Sequence, residues 1–206
     1  MKRELYYLAV GDSLTAGKGV VYENSFVSQY VRLTESGLGR KVLAENAGVS
    51  GETTGQILQR LTADTSLRKA VAASDMLTLT AGGNDLILAA KRFAADSDTR
   101  HLMSALKLFG RNMSRIMEEI EQLKKESGSY AVKVIGLYNP LPEFEEAIFW
   151  VDRFNQRLRS FHSGSISVVD VYDLFLGRED DLLSEDRIHP NTEGYRLIAE
   201  RVYRGG

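Results

Sequence analysis

The sequence predicts a three-layer α/β/α sandwich built around a five-stranded parallel β-sheet. Short apolar runs alternate along the chain with amphipathic segments, an order that is typical of parallel strands joined by helical crossovers. The apolar runs are almost continuously hydrophobic, as expected for strands that are covered on both faces. Of the 206 residues, 43% are hydrophobic and 26% are charged, so we expect one domain, residues 1–206, with a substantial core.

Five apolar runs are the predicted strands. The first, residues 5–10, stops at Gly11, where the apolar pattern breaks. The other four are predicted at residues 42–47, 75–81, 132–137 and 166–171. Because ligands of such sheets bind outside the carboxyl ends of the strands, the segments that follow each strand are where we expect a site.

The amphipathic segments are the predicted helices. Apolar residues recur at helical spacing in residues 25–34, 56–61, 67–73 and 148–161. Asn112 is predicted to cap a helix that ends before Gly128, and Asn191 or Thr192 is predicted to start a closing helix. The longest excursion between strands near the expected site is residues 86–110. Its apolar residues either pack on the sheet, which the helical spacing favours, or line an acyl groove or cover.

Composition excludes several classes of protein. The formal net charge is −2, from 26 Lys and Arg against 28 Asp and Glu, so the chain lacks the basic excess that nucleic-acid binding needs. It has no cysteine, which excludes disulfides, a thiol nucleophile and a cysteine-ligated metal. No apolar run is long enough for a membrane span or a signal-peptide core. The sequence as given therefore predicts a cytoplasmic protein, or an exported one if a leader has been removed, and it leaves the oligomeric state open.

The segment after the first strand, residues 11–19, has two catalytic interpretations. A phosphate-binding loop does not fit, because five residues separate Gly11 from Gly17 and no hydroxyl residue follows Lys18. The other interpretation makes Ser13 a nucleophile on a strand-to-helix turn. A third, non-catalytic interpretation makes Ser13 a helix cap, and this segment alone favours the cap.

Two further segments contain candidate donors to an anion. Gly51 lies in the turn that follows the second strand, where a glycine allows close approach of the main chain. Asn84 follows the third strand, and its side-chain amide is of the type that donates to a developing oxyanion. Each segment is also compatible with an ordinary turn.

One of the three histidines differs from the other two. His101 and His162 lie beside helix ends and are predicted to be surface residues. His189 has Asp186 three residues earlier on the same loop and a proline directly after it. A carboxylate at that spacing can hold an imidazole in one tautomer, which a general base requires. A polar turn without a catalytic role is the alternative.

Taken together, the strand-end segments supply a nucleophile, two anion donors and a base with its carboxylate, which are the parts of an acyl-transfer site. Tyr138 and Asn139 follow the fourth strand and should reach the same edge of the sheet. They either contact the substrate or form a turn.

The sequence resembles the GDSL, or SGNH, hydrolase superfamily over essentially its whole length. The resemblance rests on four short motifs in order, at residues 11–14, 50–53, 82–85 and 186–190. It implies a flavodoxin-like topology, a nucleophilic Ser13, a general base and acid at His189, and Asp186 as the residue that orients the histidine. It also implies an oxyanion hole formed by the N–H groups of Ser13 and Gly51 and the side chain of Asn84, and it implies no cofactor and no metal.

The function that follows is a serine esterase or lipase-like acylhydrolase that cleaves carboxylic esters through an acyl-serine. Two alternatives stay open at this point. One is a carbohydrate or peptidoglycan O-acetyl esterase, and the other is a non-catalytic small-molecule binding module on the same fold. The expected partner is a small ester, whether lipid-like, aliphatic or acetylated, and the acyl chain length is not predicted.

Overall fold

The five strands form one parallel sheet in the order β2-β1-β3-β4-β5, which confirms the predicted architecture. The computed structural model describes residues 3–205, so that Met1, Lys2 and Gly206 lie outside the described residues. The strands are β1 (Leu5–Gly11), β2 (Val42–Gly48), β3 (Met76–Thr80), β4 (Ala131–Ile135) and β5 (Ile166–Val169).

Ten α-helices lie within residues 3–205, seven of them between the strands and three after β5. They are α1 (Ser13–Ala16), α2 (Phe26–Leu38), α3 (Thr54–Ala63), α4 (Thr65–Ala73), α5 (Gly83–Asp96), α6 (Arg100–Lys124), α7 (Glu145–Arg159), α8 (Tyr172–Phe175), α9 (Glu179–Leu182) and α10 (Thr192–Arg204). The amphipathic segments predicted as helices are confirmed, with ends that differ by a few residues. The four-residue helices α8 and α9 were not predicted, because such short helices are too brief to show a period.

Apolar side chains cover both faces of the sheet, as the hydrophobic runs predict. On one face, side chains of α3, α4, α6 and α7 pack on the strands, and the rings of Phe109 and Phe154 lie 4.6 Å apart. On the other face, α2 and α10 pack together, with Phe26 and Tyr195 fully buried. The edge strand β2 is the exception, since its Leu43 is 56% exposed.

The prediction that Asn112 caps a helix is wrong, because Asn112 lies in the middle of α6. The buried apolar stripe of this helix already includes Leu102 and Phe109, and it continues past Asn112 to Ile120 without a stop signal. Asn112 is itself buried, and its amide is satisfied by the hydroxyl of Thr54, 3.0 Å away. The excursion at residues 86–110 is therefore α5 and the first part of α6.

The strand register brings the carboxyl ends of β1, β2 and β3 together. Gly11 pairs with Gly48 on one side and with Thr80 on the other, so β1, β2 and β3 end at the same edge of the sheet. The segments that follow these strands begin side by side at that edge. No helix among the described residues has the length and apolar character needed to cross a membrane.

Candidate active site

Ser13 is the first residue of α1, and only Asp12 separates it from the end of β1. The cap of this helix is Asp12, whose Oδ1 accepts the N–H of Leu14 at 3.0 Å, so the interpretation of Ser13 as the cap is wrong. The Ser13 hydroxyl is therefore not used as a cap, and its Oγ lies 2.9 Å from Nε2 of His189. Gly11 makes the turn possible, since its φ is +149° and a Cβ there would collide with Thr80.

His189 lies between Ser13 and Asp186. Its Nδ1 is 2.6 Å from Oδ2 of Asp186, and its side chain is 13% exposed. Because an ionised carboxylate only accepts hydrogen bonds, Nδ1 must donate, and Nε2 of the neutral ring is then the acceptor that faces the serine hydroxyl. The three side chains form a chain of hydrogen bonds from hydroxyl to imidazole to carboxylate.

Asp186 is held by its own loop. Its Oδ1 accepts the N–H groups of Ile188 and His189, at 2.9 and 2.8 Å, and the hydroxyl of Ser184 at 3.1 Å. Burial opposes the charged form, but the hydrogen bonds from the backbone and ring of His189 outweigh it and hold the pKa of Asp186 well below its usual range. Arg187 adopts a left-handed conformation (φ +56°) within this tight turn. Asp186 therefore stays ionised while it orients the imidazole.

Gly51 and Asn84 lie with Ser13 around one cavity. Gly51 has a φ of +88°, which favours glycine, and its turn is exposed. Among residues 3–205, the N–H groups of Ser13 and Gly51 donate to no protein acceptor. The amide of Asn84 donates to the carbonyl of Glu52 at 2.9 Å, which uses one of its two N–H groups. The cavity is thus bordered by unpaired donors, an arrangement that can stabilise an oxyanion.

The buried carboxyl group of Asp12 also borders this cavity, and the sequence had suggested no catalytic part for it. Its Oδ1 accepts the hydroxyl of Thr80 at 2.9 Å, and that hydroxyl lies 2.8 Å from the hydroxyl of Thr15. Burial raises the pKa of Asp12, while the hydrogen bonds from Leu14 and Thr80 oppose that shift. A hydrogen-bonded layer of polar side chains therefore supports the turn that bears Ser13.

The cavity itself has a volume of about 180 Å³, and its wall is mainly apolar. Ser13, Asn84 and His189 line it together with the polar side chains of Asp12, Lys18 and Thr80. The apolar residues of the wall are Leu14, Ala81, Leu86, Ile87, Leu137, Pro140, Val151 and Ile188. Within the excursion at residues 86–110, Leu86 and Ile87 thus line the cavity, whereas Leu102 and Phe109 belong to the core.

Of the two candidate substrate contacts after β4, only Tyr138 reaches the cavity. Its hydroxyl donates to the carbonyl of Ile188 at 2.6 Å, and its ring stacks on Phe175 with centroids 4.2 Å apart. Tyr138 therefore supports the loop that bears His189 as well as the cavity wall. Asn139 is buried away from the cavity, and its Oδ1 accepts the N–H of Leu141 at 3.0 Å.

One group of side chains within residues 3–205 has spacing suited to a metal ion, formed by Asp96, Asp98 and His101 near the start of α6. Their polar atoms already form hydrogen bonds with one another and with the backbone. His101 pairs with Asp96 at 2.8 Å, and Asp98 accepts the N–H of Arg100 at 2.9 Å. This group does not line the cavity that contains Ser13. The expectation that the chain needs no metal or cofactor stays a prediction.

Known proteins are similar to this chain over nearly its whole length. The model of the GDSL-like lipase/acylhydrolase family matches residues 9–197. The spore germination lipase LipC of Bacillus licheniformis is 35% identical over 205 residues, covering 98% of this chain and 96% of that protein.

Solved structures show the same relationship. The lipase Lip_vut3 from a goat rumen metagenome is 35% identical, with a TM-score of 0.93 over 98% of this chain and 97% of that one. A family 3 carbohydrate esterase from Clostridium thermocellum shares the fold at 20% identity, with a TM-score of 0.70 over 98% of this chain and 95% of that one.

Proposed function

Because the chain belongs to the GDSL-like lipase/acylhydrolase family and is a carboxylic ester hydrolase, we propose that Ser13 is the nucleophile that receives the acyl group. The observation that supports this assignment is the continuous chain from Ser13 through His189 to Asp186, with contacts of 2.9 and 2.6 Å. A serine hydroxyl is a weak nucleophile until an adjacent base accepts its proton. His189 is placed to do so.

The first half of the reaction forms the acyl-serine. His189 Nε2 takes the hydroxyl proton as Ser13 Oγ attacks the carbonyl carbon, and the carbonyl oxygen becomes an oxyanion. The N–H groups of Ser13 and Gly51 and the free amide hydrogen of Asn84 donate to that oxyanion. Each such donor contributes roughly 3–4 kcal/mol to the transition state. The imidazolium then gives its proton to the leaving alkoxide as the ester C–O bond breaks.

The second half returns the enzyme to its starting state. Water replaces the alcohol, His189 removes one of its protons, and the hydroxyl oxygen attacks the acyl carbon. The new tetrahedral intermediate collapses as the proton passes from His189 to Ser13 Oγ. The products are a carboxylic acid and an alcohol. Asp186 remains ionised throughout and stabilises the positively charged ring of His189.

For the substrate, we propose an ester with an aliphatic acyl group. The apolar part of the cavity wall includes the side chains of Leu86, Ile87, Leu137 and Val151, which cannot hydrogen-bond to a sugar. Each methylene that leaves water adds about 0.8 kcal/mol, or roughly a fourfold gain, until the cavity is filled. An O-acetyl esterase would gain little from such a wall, since an acetyl group has no methylenes to bury.

The test is a series of p-nitrophenyl esters from acetate to dodecanoate, assayed with the wild-type protein, Ser13→Ala and Ser66→Ala. Ser66 is an exposed serine in α4 and serves as the matched control. We expect Ser13→Ala to abolish hydrolysis and labelling by a fluorophosphonate, and Ser66→Ala to retain both. Equal activity of Ser13→Ala and the wild type would refute the mechanism. A wild-type kcat/KM that is highest for acetate would refute the aliphatic acyl group and favour an O-acetyl esterase.

A further inference from the structure

We propose that Asp85 is a positioning residue that holds the two halves of the oxyanion hole together, an inference that rests on the proposed function. Asp85 lies in the first turn of α5, directly after Asn84. Its carboxylate accepts two hydrogen bonds from Thr54, the first residue of α3: the backbone N–H to Oδ2 at 2.8 Å and the hydroxyl to Oδ1 at 2.6 Å. Asp85 thereby joins the starts of two helices.

The residues joined in this way are neighbours of the proposed donors in sequence. Thr54 follows Gly51 by three residues, and Asp85 follows Asn84 by one. A third hydrogen bond runs parallel to the pair at Asp85, from the amide of Asn84 to the carbonyl of Glu52. The turn that presents Gly51 is thus attached to the helix that presents Asn84 at two successive points.

The attachment also sets the direction of the Asn84 amide. While one N–H bonds to Glu52, the other is directed away from that carbonyl and stays available to the cavity. If the turn moved away from α5, the amide would lose this partner and rotate freely. Misplacement of a reacting or stabilising group by about 1 Å is enough to cost roughly 100-fold in rate.

The Asp85 carboxylate is buried among its partners. Asp85 is 8% exposed, Thr54 is fully buried, and Asn112 in α6 donates to the Thr54 hydroxyl at 3.0 Å. Burial raises the pKa of Asp85, and the hydrogen bonds from Thr54 oppose that shift. A buried charge is a weak source of stability, but its hydrogen bonds fix distance and direction. Those are the properties that an oxyanion hole requires.

The first test compares kcat and KM for one short ester. We expect Asp85→Asn to lower kcat by about 10- to 100-fold and Thr54→Val by about 10-fold, while KM changes by less than about threefold, because the donors act on the transition state. Thr54→Ser retains the hydroxyl and should stay close to the wild-type values. Asp64→Asn is the matched control, since Asp64 caps α4 away from the cavity.

A double-mutant cycle separates positioning from general damage to the fold. If Asp85 acts through the oxyanion donors, Asp85→Asn should cost about threefold or less when Asn84 is already alanine. Equal costs in both backgrounds, or an unchanged kcat in Asp85→Asn, would overturn the proposal. If Asp85→Asn does not fold, Thr54→Val takes its place in the cycle. Failure of the proposed function would appear separately, as hydrolysis by Ser13→Ala.

Discussion

Two histidine–carboxylate pairs in this molecule have nearly the same contact but very different surroundings. His189 and Asp186 meet at 2.6 Å, and His101 and Asp96 meet at 2.8 Å. Both pairs are local in sequence, and both consist of an imidazole and an aspartate. A pairwise contact of this kind therefore does not distinguish a catalytic base from a surface residue.

The distinction lies in the second ring nitrogen and in the carboxylate. Nε2 of His189 faces the Ser13 hydroxyl, whereas His101 uses its Nε2 for Asp96 itself. His189 is 13% exposed and borders a cavity, whereas His101 is 31% exposed and lies on the surface of α6. Asp186 also accepts two backbone N–H groups of its own loop, which fix it relative to the ring. These surroundings, and not the contact alone, favour His189 as the proposed base.

Replacing the carboxylate of each pair by an amide should give the largest contrast. Asn at position 186 can keep the backbone hydrogen bonds at Oδ1, but its amide would donate to Nδ1 and leave the ring proton on Nε2, facing the serine. We expect kcat of Asp186→Asn to fall by about 10⁴-fold and that of Asp96→Asn to stay within about twofold. Ester hydrolysis assays with matched unfolding curves measure both. An Asp186→Asn protein with more than a tenth of wild-type kcat would contradict the assigned role.

The second difference between the two histidine–carboxylate pairs is that only His189 borders the cavity. Substitutions at neighbouring residues can test whether the apolar wall of this cavity selects the acyl group. Ile87 lines the cavity, whereas Leu88 is 50% exposed and does not. A tryptophan at position 87 should fill part of the cavity that the proposed acyl chain would occupy, so we expect Ile87→Trp to lower kcat/KM for a p-nitrophenyl decanoate by about tenfold and for the acetate by less than about twofold. Leu88→Trp is the control and should change neither. Equal losses on both esters would show that this wall does not select the acyl group.

The parts of the site that could be predicted from sequence are those that lie directly after strands. Parallel strands end at one edge, so Ser13, Gly51 and Asn84 are brought together by the sheet itself, and each follows an apolar run that is easy to recognise. His189 and Asp186 lie three residues apart on one loop. The alternation of strands and helices predicted a parallel sheet, whereas the order of its strands was implied only by the resemblance to the GDSL family.

What could not be predicted depends on partners that are far apart in the sequence. Asn112 suggested a cap because its partner, the hydroxyl of Thr54, lies 58 positions away and only folding brings the two together. Asp85 suggested a turn for the same reason, since Thr54 is 31 positions from it. Tyr138 binds the carbonyl of Ile188, 50 positions along the chain. Sequence patterns report local period and composition, not such pairings.

Lys124 has a strongly lowered pKa but does not line the cavity, so it tests whether a perturbed pKa alone marks a functional residue. Lys124, in the last turn of α6, is 1% exposed, and its ammonium donates to the carbonyl and hydroxyl oxygens of Ser74. Burial lowers the pKa of Lys124 to about 8, although the charge of Asp75 acts in the opposite direction. Lys124 does not line the cavity at Ser13, and its hydrogen bonds are to Ser74. We therefore expect it to affect stability and not catalysis.

The sign of that effect follows from the protons bound in each state. Between pH 8 and the ordinary lysine value of 10.5, the unfolded chain holds a proton on Lys124 that the folded chain lacks, so the free energy of unfolding rises with pH through this window. Relative to Lys124→Met, the wild type should gain at most roughly 3 kcal/mol between pH 7.5 and 10.5. Urea unfolding at the two pH values measures this, with the exposed Lys125→Met as control. A stability difference between the wild type and Lys124→Met that does not change with pH would contradict the lowered pKa. A loss of ester hydrolysis in Lys124→Met would show that a buried charge outside the cavity does affect catalysis.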